Sequence, residues 1–128
     1  MSFVGESGSG HSVVMDSAPE VGGRDLGVRP MEMLLLGLGG CTSFDVISIL
    51  KKSRQDLVDC EAHIEAERAT DIPKVFTRIH IHFVVSGRNL DEARVKRAVE
   101  LSADKYCSAS RMLEKTAEIT HDYEILEA

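Results

Sequence analysis

Cys41, Cys60 and Cys107 are the residues of this sequence best equipped for nucleophilic chemistry. The thiolate, not the thiol, attacks peroxides and disulfides, so accessibility and ionisation decide which of the three is reactive. Three cysteines cannot close a complete disulfide framework, and 128 residues can build a core without one, so a reducing cytoplasmic setting fits the chain. Cys60 begins an alternation with Ala62, Ile64 and Ala66, set against Glu61, His63, Glu65 and Glu67. That period of two gives it a packing role on the dry face of a strand. Cys41 and Cys107 lie outside such a pattern, and their spacing does not by itself bring them together.

Histidines form the second group. His80 and His82 share one side of a strand, with His63 on the same wet side across a hairpin. No cysteine pair stands at ligand spacing and no carboxylate at a diagnostic interval, so these imidazoles read as a solvated sheet face rather than a metal site. No Gly-rich strand-to-helix turn of the dinucleotide or P-loop type occurs either.

The elements that must position these groups follow from periodicity. His11 to Met15 reads as a short strand, followed by a mobile glycine-rich loop to about Arg29. Pro30 opens a long helix that runs to Lys52, with Glu32 at its positive end. Gly37, Gly39 and Gly40 interrupt it beside Cys41, as small residues that admit a close neighbour. A hairpin follows, its second strand from Val75 to Val85 placing Val75, Ile79, Ile81, Phe83 and Val85 on the dry side. Asn89 and Glu92 resemble a capping box for a helix striped by Val95, Ala98, Val99, Ser102 and Tyr106. A break near Cys107, a short helix through Met112 and a last strand from Glu118 complete an α+β order in a single domain over residues 1–128.

Composition narrows the function classes. Fifteen basic and 21 acidic side chains leave a net charge of −6, which excludes a dedicated nucleic-acid surface and disfavours an anionic membrane. The uncharged run from Met33 to Phe44 is too short to span a bilayer, which needs about 20 residues, and residues 1–15 lack the basic and apolar regions of a secretory signal.

The segments Arg-Pro-Met-Glu-Met-Leu-Leu-Leu-Gly-Leu-Gly-Gly-Cys-Thr (29–42), Asp-Val-Ile-Ser-Ile-Leu-Lys-Lys (45–52) and Lys-Tyr-Cys-Ser (105–108) resemble the OsmC/Ohr family, in its OsmC-like branch. The resemblance covers nearly the whole chain, with an initial family strand shortened or absent. It implies an OsmC-like fold: a curved antiparallel sheet around a long central helix, in an intertwined homodimer. It also implies a thiol peroxidase in which Cys41 is the nucleophile and Cys107 the resolving thiol, recharged by an external dithiol and needing no cofactor. The activating pair would be Glu32 with a cation from the N-terminal part, for which Arg29, Arg24 and His11 are the candidates.

Residue geometry adds conditions. Glu32 precedes Cys41 by nine positions, about 13.5 Å of helical rise, so within one straight helix it cannot touch the thiol. It acts across a bend or subunit boundary, or serves as a first-turn carboxylate on the helix dipole. Asp45 shares the helical face of Cys41 and opposes its ionisation, while Arg111 could offset that charge. Leu34, Leu38, Phe44 and Met112 would wall a site for a small peroxide or an apolar substrate. The competing reading is a noncatalytic protein of the same fold that holds a small apolar or acyl ligand at the dimer interface.

Overall fold

The computed structural model describes residues 1–128 and divides them into two compact units, 1–36 and 37–128. In the first unit β1 (Phe3–Glu6) and β2 (Ser12–Met15) form an antiparallel hairpin, so the initial strand is present and four residues long. The glycine-rich segment after it, expected to be mobile, is instead organised around Asp16, which is buried. Its carboxylate accepts hydrogen bonds from the backbone N–H groups of Ser17 (2.7 Å), Arg24 (3.1 Å) and Leu26 (3.2 Å) and from the Ser2 hydroxyl (2.8 Å). Led by the Ser17 bond, these donors hold Asp16 well below the usual carboxylate range. Gly27 passes so close to the Val14 carbonyl that a Cβ there would collide with it.

Helix α1 (Pro30–Lys52) starts at the proline as expected and carries Lys51 and Lys52 in its last turn. At 23 residues it has the length and apolar composition to cross a bilayer, so the short uncharged run does not exclude one. Its placement as a core helix rests on burial: Leu38, Val46 and Leu50 are completely enclosed by protein.

In the second unit β3 (Asp56–Arg68) and β4 (Phe76–Arg88) form an antiparallel hairpin, and β5 (Glu118–Glu127) joins β4 on its other side. The α+β class stands, while the expectation of a wholly antiparallel sheet is corrected: β5 runs parallel to β4, from Arg78 opposite Glu118 to Gly87 opposite Glu127. A parallel neighbour requires a crossover, supplied by α2 (Glu92–Leu101), a π-helical turn (Ser102–Tyr106) and α3 (Ser108–Leu113). Val95, Ala98 and Val99 of α2 join Ile79, Ile81, Phe83 and Val85 of β4 in the core.

Three local readings also change. The pairing slips between Glu67 and Arg68, so the strand starts at buried Phe76 and leaves Val75 partly exposed. Asn89 has a left-handed φ of 51° and turns the chain, while Asp91 caps α2 by accepting from Ala93 N–H at 2.9 Å. Tyr106 is half-exposed rather than part of the apolar stripe.

The wet face of the sheet carries the histidines. His80 and His82 each hydrogen-bond the same Asp122 oxygen, through Nε2 at 3.0 Å and Nδ1 at 2.7 Å respectively. The bond to Asp122 raises the His82 pKa above its ordinary value and lowers that of Asp122. A raised imidazole stabilises the fold below the unfolded value of 6.5 and loses that contribution as pH rises through its folded pKa. A depressed carboxylate contributes above 3.8 and loses it as pH falls. Asp122→Asn should therefore return the NMR-titrated His82 pKa toward 6.5, and its stability deficit should be widest between these two values. Phe83, at 1% exposure, tests the core: Phe83→Ala should cost about 3–5 kcal/mol in urea denaturation.

Candidate functional site

Helix α1 brings Cys41 and Asp45 onto one face, four residues apart. Thr42 is buried beside them, where its hydroxyl meets the Ser102 hydroxyl at 2.7 Å. Ser102 Oγ also lies 3.1 Å from the Thr42 carbonyl and 3.3 Å from Asp45 Oδ2. A serine hydroxyl has one proton to share between those two acceptors, so Thr42 donates to Ser102. The contact pins α1 to the residue at which α2 passes into the π-helical turn.

That turn delivers the second cysteine. Cys107 N–H donates to the Ser102 carbonyl at 2.9 Å, and the residue then leaves helical geometry with φ −75° and ψ 106°. Cys107 is the N-cap of α3, and its sulfur accepts from Ser110 N–H at 3.4 Å. The structure thus unites residues 41 and 107: the two sulfurs and an Asp45 oxygen all lie within 4.8 Å of one another.

The two thiols differ. Cys107 is buried, and its pKa is pushed up to about 11, mainly by that burial, with further contributions from its hydrogen bond to Cys41 and the charge of Asp45. The Ser110 N–H acts in the opposite direction and is outweighed. Cys41 is half-buried, and so more open to a reagent. A cleft of about 450 Å³ opens beside Asp45, with Ser48, Ile49, Leu101 and Tyr106 among its walls.

The expected activators are engaged elsewhere. Glu32 accepts from Arg29 N–H at 2.8 Å, the return half of a capping box at the start of α1. Arg29 pairs with Asp25 at 2.8 Å, and this hydrogen bond is the main cause of its raised pKa. Both interactions lie within the first unit. Arg111 donates to the Asp104 carbonyl at 2.9 Å and lies 3.6 Å from Glu114, so its charge is already matched. His11 and Arg24 are exposed. Of the expected apolar walls, Leu38 is core, whereas Leu34, Phe44 and Met112 are exposed. Gly39 receives Ile64 of β3, where a Cβ would stand 3.1 Å from its terminal carbon, while Gly37 and Gly40 face open space.

Sequence reasoning missed Ser102 and Thr42. The usable signal was Ser102 itself, since a hydroxyl within an apolar helical stripe needs a buried partner. Cys60 takes its expected strand position and hydrogen-bonds Ser43, with burial and then the Asp59 charge raising its pKa to about 11.

The sequence profile of the family described as OsmC-like protein matches residues 22–122. Protein YhfA of Escherichia coli K12 is 51% identical over 128 residues, covering all of this chain and 92% of its own length. A hypothetical protein from Aquifex aeolicus VF5 superposes with a TM-score of 0.78 at 28% identity, covering 100% of this chain and 96% of its own. An organic hydroperoxide resistance protein OsmC from Legionella pneumophila shares the fold, with a TM-score of 0.68 at 14% identity and coverages of 97% and 95%.

The shifted thiol is directly measurable. Raising Cys60 from 9.0 to about 11 cuts its thiolate fraction at pH 8 by roughly 100-fold. Iodoacetamide labelling followed by peptide mass spectrometry should therefore find Cys60 at least that much slower in the folded protein than in the urea-unfolded chain.

Proposed function

This chain belongs to the OsmC-like protein family, and on that premise we propose that it is a cytoplasmic, homodimeric thiol peroxidase forming a single OsmC-like domain over residues 1–128. The observation that carries the reading is the convergence of the Cys41 and Cys107 sulfurs. The hydroperoxide resistance named for the Legionella relative supports the choice of substrate class.

In this reading the Cys41 thiolate attacks the outer oxygen of a hydroperoxide. An S–O bond forms, the O–O bond breaks, and the departing alkoxide takes a proton to become an alcohol. Cys107 then attacks the Cys41 sulfenic acid. An S–S bond replaces the S–O bond, and the hydroxyl leaves as water with the Cys107 proton. An external dithiol restores both thiols by exchange. Cys41 takes the first step because it is the more open of the pair, and Cys107 the second because burial keeps its proton in place until the sulfenic acid forms. Position at the end of a π-helical turn gives Cys107 the local freedom to close the remaining distance. The substrate would enter through the cleft beside Asp45 and Tyr106.

A noncatalytic ligand-binding role draws its support from a different observation. Arg29 and Arg111 are committed to other partners, which leaves the thiols without an adjacent activating cation from either. A small apolar or acyl ligand would then occupy the family's dimer interface, where exposed Phe44 and Met112 offer apolar surface.

Peroxide consumption with a dithiol reductant separates the two roles. Cys41→Ser should reduce turnover to background, at least 100-fold below wild type. Cys107→Ser should complete one turnover and then accumulate sulfinic acid, visible by intact mass. A wild type without consumption above background, carrying a retained ligand in native mass spectrometry, would establish the binding role instead.

A further inference from the structure

The geometry points to a site for a thiophilic divalent cation, of the zinc class, formed by Cys41, Asp45 and Cys107. Two sulfurs and a carboxylate oxygen, all within 4.8 Å of one another, form the donor set. Tetrahedral zinc with bonds of about 2.3 Å to sulfur holds two thiolates roughly 3.8 Å apart, so side-chain adjustment suffices to close the site. Three protein donors leave a fourth position for water, which can enter from the cleft that Asp45 lines.

A supporting shell is already in place. Ser102, completely buried, donates toward Asp45 Oδ2 at 3.3 Å and is held by Thr42 at 2.7 Å. Ser110 N–H donates to the Cys107 sulfur at 3.4 Å. Such outer partners orient ligands and are worth roughly 10- to 100-fold in metal affinity. Charge argues in the same direction. Two thiolates and a carboxylate would carry three negative charges, while the nearby Arg111 is committed to Asp104 and Glu114. A divalent cation supplies the missing countercharge in a partly enclosed position.

Binding is not a redox step. Two S–Zn bonds and one O–Zn bond form, the two S–H bonds break, and both protons pass to the buffer. The bound ion would cap the reduced dithiol and exclude its oxidation. The inference does not depend on peroxide turnover: the metal is read on reduced protein without peroxide, and turnover on metal-free protein, so either can fail alone.

Cobalt(II) serves as the optical probe, added alone to the reduced full-length chain under a phosphine reductant. One ion per chain should bind with sulfur-to-cobalt charge-transfer absorption and tetrahedral visible bands, and zinc should displace it. Cys41→Ser and Cys107→Ser should each weaken zinc binding at least 100-fold in chelator competition, with far-UV circular dichroism confirming folding. Ser102→Ala should keep the bands and weaken binding about 10-fold. A His80→Asn/His82→Asn variant should bind like wild type. Absence of charge-transfer absorption in the wild type, undiminished bands in Cys41→Ser, or loss of binding confined to the histidine variant would each overturn the assignment.

Discussion

One buried pair of hydroxyls determines where the thiol chemistry can occur. Thr42 and Ser102 meet across 60 residues of sequence, each almost completely removed from water. Such groups must satisfy one another, because an unpaired hydroxyl in that position would cost about 1–3 kcal/mol. Their bond therefore specifies as well as stabilises. It sets the end of α2 against one point of α1, and the Cys107 N–H, held by the Ser102 carbonyl, follows from it. Sulfurs distant in sequence are neighbours because two oxygens one and five residues away from them are bonded.

Much of this architecture was legible beforehand. Alternation identified β3, the dry side of β4 and both faces of β5; Pro30 and the paired lysines marked the ends of α1. These signals are local, and local periodicity survives folding. What escaped were non-local facts. The direction in which β5 joins β4 is decided by the crossover, which periodicity does not encode. A register slip at Glu67 and Arg68 moved Phe76 rather than Val75 to the dry side. The cap shifted from Asn89 to Asp91 because Asn89 was needed in a left-handed turn. The site divided similarly. The family resemblance singled out Cys41 and Cys107, but the commitments of Glu32, Arg29 and Arg111 depend on partners that no motif records.

The electrostatics of the site are unusual for a nucleophile. Reactive cysteines normally sit in electropositive surroundings. Here burial and a neighbouring carboxylate dominate around Cys107. Peroxide reduction and cation binding resolve this in opposite ways. In the first the buried proton is retained until a leaving hydroxyl can use it, and in the second a metal displaces it. The same geometry therefore supports a reduced state that is chemically quiet until either reagent arrives, with Asp45 setting the threshold for both.

The π-helical turn between Ser102 and Tyr106 can be viewed as an α-helical turn carrying a surplus residue. Each helical residue advances the side-chain direction by about 100°. The surplus residue thus works as an angular offset, and the sulfur of Cys107 points toward Cys41 only because that offset is present. Lineages that shed or gain a residue in this stretch would keep the sheet, the long helix and both cysteines, yet swing the second thiol away from the first. The length of this turn, more than the presence of two cysteines, is the character by which a dithiol-competent chain can be told from a relative that retains only the scaffold.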